Sequence, residues 1–107
     1  MKAREVVDRY VARANARDVD ALMQLFAEDA VVEHETGRFE GRDAIREFFA
    51  DTILPANSII GIAAYEDRAD GCRVVFEDTG AGRQPRVVDR FLLDDDGRIA
   101  HLHITVE

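Results

Sequence analysis

Cysteine is almost missing from this chain, with Cys72 standing alone. A single cysteine excludes an internal disulfide and any Cys-based zinc cluster, and it suits a reducing compartment, so a cytoplasmic protein is expected. Tryptophan is absent, and proline occurs only at Pro55 and Pro85. Seven scattered glycines form neither a Gly/Ser linker nor a repeat, so nothing divides the chain into domains. Long hydrophobic runs are also lacking. The longest, Ile59–Tyr65, is interrupted by Gly61 and falls far short of the ~20 residues of a membrane helix. The opening Met1-Lys2-Ala3-Arg4-Glu5 is charged every few residues, so no secretory signal is expected. Positive charge is scarce, with 14 Lys and Arg against 22 Asp and Glu and a net charge of −8. That balance repels phosphate backbones and anionic lipid, which argues against nucleic acid or a membrane as partner. What is present is 47% apolar sequence over 107 residues, which is one globular domain with a small-molecule or protein partner.

The first third carries helical spacing. Val6, Val7, Tyr10, Val11 and Ala14 make one apolar stripe, flanked by Arg4, Glu5, Asp8, Arg9 and Arg13. Asn15-Ala16-Arg17-Asp18 reads as a break, with Asp18 as N-cap of a short helix over Asp20–Phe26. A third helix follows Gly41, capped by Asp43 or a neighbour. It buries Ile45, Phe48, Phe49 and Ile53 and stops at Pro55. Between these two helices, Ala30–His34 reads as a short strand. The second half is β: Ile59–Arg68, Arg73–Asp78, Arg86–Leu93 and Ile99–Val106 are rich in β-branched and aromatic residues. Turn chemistry separates them at 68–71, 79–82 and 94–97, and such short connections imply antiparallel hairpins. Helices first and a strand meander afterwards predict an α+β domain, three N-terminal helices packed on one face of a curved, mainly antiparallel sheet.

Ionisable groups on otherwise apolar faces are the candidates for chemistry. Tyr10 sits in the middle of the first helix's apolar stripe. His34 shares its strand face with Val32. Asp89 alternates in step with Val87, Phe91 and Leu93. A carboxyl flanked by Val and Phe is costly to bury as an anion, so it is either paired or held protonated. Each residue also has a plain structural reading: a core tyrosine with its hydroxyl at the rim, an edge histidine with a local partner, a satisfied strand aspartate.

Other signals are weaker. His101 and His103 share the opposite face of the last strand, but a His-x-His pair needs a third ligand to hold zinc or iron. With Arg90 and Leu92 they better fit a polar-rimmed face for a second copy of the chain. Cys72 has no base or cation beside it in sequence and reads as a small buried hydrophobe. Asp94-Asp95-Asp96-Gly97 lacks the later glutamate of a calcium loop and reads as a hairpin turn. No metal or cofactor is expected. Glu33 and Glu35 read as surface acids, available as bases if His34 faces solvent.

The run from Arg9 to Asp20, the segments Leu25–His34 and Gly41–Phe49, and later Val88-Asp89-Arg90-Phe91 and Asp96-Gly97-Arg98-Ile99 resemble the ketosteroid isomerase and SnoaL-like branch of the nuclear transport factor 2-like superfamily. The resemblance covers most of the chain outside Thr52–Gly71 and the hairpin around Thr79–Gln84. It implies a cone of helices around a curved sheet, an apolar pocket, and a homodimer formed through the sheet. Carried over by position, Tyr10 matches an oxyanion-hole tyrosine, and Asp89 matches its partner, a carboxylic acid kept protonated so that it donates. His34 falls where the isomerases carry an aspartate base, so the resemblance makes His34 the expected base, a neutral imidazole that takes the proton. By parity and resemblance, Val87, Phe91, Leu102, Ile104 and Val106 line the pocket with Phe76, together with Phe26, Phe48 and Phe49 from the helices. The same apolar residues also suit a filled core. The implied activity is proton transfer α to a carbonyl on a hydrophobic ring-containing molecule. Its alternatives are a non-catalytic binding or dimerisation domain, and a hydrolase or dehydratase using a His34–Asp89 dyad.

Overall fold

Three helices, α1 (Ala3–Asn15), α2 (Val19–Met23) and α3 (Arg42–Phe48), cover one face of a six-stranded sheet in the computed structural model, α3 running on into a wider π turn over Phe49–Ile53. The residues described are 2–53, 59–79 and 86–106, with the backbone alone at 52 and 53. The strands are β1 (Phe26–His34), β2 (Gly37–Glu40), β3 (Ile60–Arg68), β4 (Gly71–Asp78), β5 (Val87–Leu93) and β6 (Ile99–Val106). Their order is β2-β1-β6-β5-β4-β3, and every neighbouring pair is antiparallel except β1–β6. This is the expected α+β cone, a curved sheet that does not close on itself. Breaks in register at 62/64 on β3 and 92/93 on β5 supply local bends.

The apolar stripe of α1 behaves as its spacing predicts: Val6, Val7, Tyr10 and Ala14 are buried, and the helix packs on β3 and β4. The break after it is a left-handed Arg17 with φ of 60°. Asp18 then caps α2, its carboxylate accepting from the Ala21 amide at 3.1 Å. At the other end of the sheet α3 lies over β1 and β2. Ile45, Phe48 and Phe49 are buried, each side chain of that size contributing about 1.5–3 kcal/mol.

Four details differ from the pattern. The second helix stops at Met23, and Phe26 opens β1 instead of closing α2, so that strand begins four residues before Ala30. The cause is tertiary: Phe26 pairs with Ile99 on β6, and the Ile99 amide donates to the Leu25 carbonyl at 2.8 Å. Strand β2 carries no sequence signal beyond Phe39, because its other residues are polar or glycine and its pairing to β1 is what orders it. The N-cap of α3 is Gly41 and not Asp43, with φ of 85°, a conformation that favours glycine. Strand β4 starts at Gly71 and not Arg73, pressed so close to β5 that a Cβ there would lie 1.8 Å from the Phe91 carbonyl oxygen. The Ile53 side chain, Pro55 and most of the 79–84 turn lie outside the described residues.

One polar contact ties the helical layer to the sheet edge. The Asn15 amide donates to the Ile60 carbonyl and its oxygen accepts the Ile60 amide, both at 2.9 Å, so a side chain completes the exposed edge of β3 as another strand would. Asn15→Ala leaves both backbone groups to water. It should lower unfolding free energy by about 1–2 kcal/mol in urea titration, with an unchanged m-value.

Candidate functional site

Register sets the concave face out in rows. Tyr65 on β3 pairs with Val74 on β4, Val74 with Asp89 on β5, and Asp89 with Ile104 on β6. The parallel register of β1 with β6, carried one residue beyond the Glu33–His103 pair, sets His34 beside Ile104. One row across the sheet therefore carries Tyr65, Asp89 and His34, with Val74 and Ile104 between them. The next row runs Phe39, Val32, Leu102, Phe91, Cys72 and Asp67. Asp89 and His34 are two strand spacings apart, roughly 10 Å at the backbone.

Asp89 is the one buried charged residue among those described, only 2% exposed. Its Oδ1 has no hydrogen-bond partner among the described residues. Burial pushes its pKa well above the ordinary carboxylate value, with no neighbouring cation to oppose the shift. Burial thereby favours the neutral carboxyl, the form with a hydrogen to give. Tyr10 descends from α1 into the same region. Its ring stacks on Phe76 at 5.8 Å and meets the edges or faces of Phe91 at 5.2 Å and Phe49 at 6.1 Å. Burial raises the phenol's pKa well above its usual value, and an ionised Asp89 would raise it further, so Tyr10 keeps its proton whichever form Asp89 takes. A phenol and a carboxyl thus lie near each other among phenylalanine side chains.

His34 stands apart from them. Its ring packs on Phe48 at 5.1 Å, and Phe48 stacks on Phe39 at 4.6 Å, which makes an aromatic rim over β1 and β2. The Thr36 amide donates to His34 Nδ1 at 3.3 Å, and the Thr36 hydroxyl lies 3.0 Å from the same nitrogen. His34 and Asp89 make no ion pair. Thr36 and Phe39 escaped the sequence reading. Alternation along Arg38-Phe39-Glu40 was the available signal for Phe39, whereas the Thr36 contact depends on a turn that composition does not show.

The residues expected around a pocket divide by exposure. Phe26, Phe48, Phe49, Phe76, Phe91, Leu102 and Ile104 are buried in the core. Val87 and Val106, paired across β5 and β6, are partly exposed. Cys72 is buried, and its thiol is pushed up to about 11, chiefly by desolvation, which leaves it a poor nucleophile at neutral pH. Glu33 faces the other side of the sheet, bonded to Arg38 at 2.9 Å and 3.6 Å from His101.

With this geometry in hand, comparison with known proteins defines first the class and then the family. Solved structures of the nuclear transport factor 2-like type share the fold. A candidate polyketide cyclase from Sinorhizobium meliloti is 29% identical over 94% of each chain, with a TM-score of 0.80. SalBIII, an epoxide hydrolase/cyclase-like enzyme of pyran ring formation in the polyether salinomycin, is 26% identical over 98% of this chain and 90% of that one, with a TM-score of 0.79. A steroid delta-isomerase from Pseudomonas aeruginosa, at 22% identity over 98% and 79% with a TM-score of 0.78, shares the fold. The SnoaL-like domain profile matches residues 7–102, and the chain belongs to that family.

The raised Asp89 pKa has a consequence for stability. The unfolded chain releases this proton near pH 4, while the folded chain holds it to higher pH, so stability falls as pH rises above about 4. Asp89→Leu should therefore be more stable than the parent at pH 8, by about 1–3 kcal/mol, with the gain shrinking toward pH 4. Thermal denaturation across that range measures it.

Proposed function

We propose that this chain is a small-molecule enzyme that stabilises negative charge on a carbonyl oxygen, moving a proton α to that carbonyl in a hydrophobic, ring-containing compound. The observation that carries the reading is the burial, near each other inside an aromatic wall, of Tyr10 and of an Asp89 whose Oδ1 has no partner among the described residues. When the α-proton passes to His34, the basic side chain on the same row, charge moves to the oxygen. Two preorganised donors in a dry site stabilise that charge far better than water does, a single such donor being worth about 3 kcal/mol in comparable sites. Phe76, Phe91 and Ile104 beside these donors suit an apolar ring system. His34, across the row, faces the other end of such a ligand.

Two observations weigh against a His34–Asp89 dyad: Ile104 lies between the two residues, and burial alone accounts for the Asp89 shift. The engagement of His34 Nδ1 by Thr36 favours a second reading, a pocket that binds but does not turn over. Both readings predict that 2-naphthol, a mimic of the charged oxygen on a ring, binds to the parent. Asp89→Asn, which keeps a donor, should retain most of that affinity, and Asp89→Leu should weaken it at least tenfold. With a cyclic enone substrate, Asp89→Leu should lose about a hundredfold in rate if the site is catalytic. Equal naphthol binding by the parent and Asp89→Leu would remove the donor role. Binding with no turnover in the parent would favour the second reading.

The outward sheet face we propose as the pairing surface of two copies. Leu92 is 48% exposed there, and Arg90, Leu92, His101 and His103 line a shallow groove of about 620 Å³. Val75 and Val88, paired across β4 and β5, add buried apolar area outside the main core. Leu92→Glu should shift sedimentation from dimer to monomer, and an unchanged sedimentation coefficient would contradict the assignment.

A further inference from the structure

We infer that two copies of the chain pair about a two-fold axis running parallel to the strands between β5 and β6, so that Glu33 of each copy meets Arg73 of the other. The inference rests on the outward face being the pairing surface, proposed above, and specifies how the copies meet. It begins with charges left over on that face. Across the sheet from β2 to β3, one outward row reads Arg38, Glu33, His103, Arg90, Arg73 and Glu66. The next row has Glu40 and Arg68 at its ends and His101 beside Leu92 at its middle. Arg38 is bonded to Glu33 and Glu40, and Arg68 lies 3.3 Å from Glu66. Arg73 and Arg90 stand opposite each other across β4 and β5, and neither has an ion-pair partner among the described residues. Like charges placed directly opposite on a sheet oppose its pairing. A chain with a net charge of −8 thus sets two uncompensated cations on the face that also exposes Leu92.

A second copy supplies what these arginines lack. An isologous contact must be self-complementary, because the same patch is used on both sides. Turning the first row about an axis between its third and fourth members reverses its order, and each position then faces one it can pair with. Arg73 faces Glu33 of the other copy, Arg38 faces Glu66, and the ring of His103 can accept from Arg90. In the second row Glu40 faces Arg68, and Leu92 packs on the His101 ring beside the axis. Neighbouring placements fail. An axis along β6 sets Arg38 against Arg73, and one along β5 sets Arg90 against itself. An axis across the strands, between the two rows, lays Arg73 and Arg90 on Gly71 and Leu92, still without a carboxylate. The outward face is the convex side of the curved sheet, so the outermost strands splay apart and the contact centres on β1, β6, β5 and β4. Both Glu33–Arg73 pairs fall within those four strands.

Charge reversal on the whole protein tests this. Within one copy Glu33 and Arg73 stand three strand spacings apart, roughly 14 Å, so they reach each other only across the interface. The parent should sediment as a dimer. Glu33→Lys and Arg73→Glu should each weaken self-association at least about tenfold, because each sets two like-charge pairs face to face. Mixed in equal amounts, the two variants should form a heterodimer in which both pairs are again opposite in charge, and the double variant should dimerise by itself. Cysteine substitutions repeat the test without a charge reversal that might unfold the chain. Oxidising a mixture of Glu33→Cys and Arg73→Cys should give a cross-linked heterodimer, whereas neither variant alone should cross-link through its new thiol. A parent dimer whose single reversals stay dimeric, whose mixed reversals stay apart, or whose cysteine variants do not cross-link overturns the axis and leaves the pairing face standing. A parent that sediments as a monomer overturns the pairing reading and this inference with it.

Discussion

An aspartic acid that cannot afford its charge organises this molecule. Asp89 sits mid-strand with Val74 and Ile104 on either side, Val87 and Phe91 along its own strand, and no cation within reach. Ionised, it would leave a desolvated anion with nothing to balance it. Protonated, it is an acid with a hydrogen to donate and one oxygen without a partner. A fold selected for stability alone would place an apolar residue at this position, and an unpartnered polar atom in an otherwise satisfied core is where a functional account begins.

The architecture serves that residue in two ways. The rows of the sheet set Asp89 and His34 on one concave face two strand spacings apart, while α1 brings Tyr10 down upon the same face within a cage of Phe49, Phe76 and Phe91. The helices divide the work: α1 covers the β3–β4 end and carries the phenol, and α3 covers the β1–β2 end and carries Phe48 against His34.

Much of this was legible in the residues themselves. The α1 stripe, the Asp18 cap and the alternation Val87-Asp89-Phe91 each report a local rule that tertiary packing did not override, and they placed Tyr10 and Asp89 inside. The misreadings share a cause. Leu22, Leu25 and Phe26 fall at helical spacing, but pairing with Ile99, 73 positions away, draws Phe26 into β1. Strand β2 has one apolar residue and owes its order to β1, so no periodicity could announce it. The contact of the Thr36 amide with His34 Nδ1 escaped for a related reason, since a two-residue turn carries no such information in its composition. Spacing reveals which face a residue takes; it does not reveal which proton it holds.

The protonation state of Asp89 in the native protein is the most direct measurement. Infrared difference spectra of the parent against Asp89→Asn, at pH 7, should contain the carbonyl stretch of a protonated carboxylic acid and no matching loss of carboxylate bands. A spectrum showing Asp89 as a carboxylate at that pH would mean that the buried group carries its charge, and the donor pair on which the proposed chemistry depends would not exist.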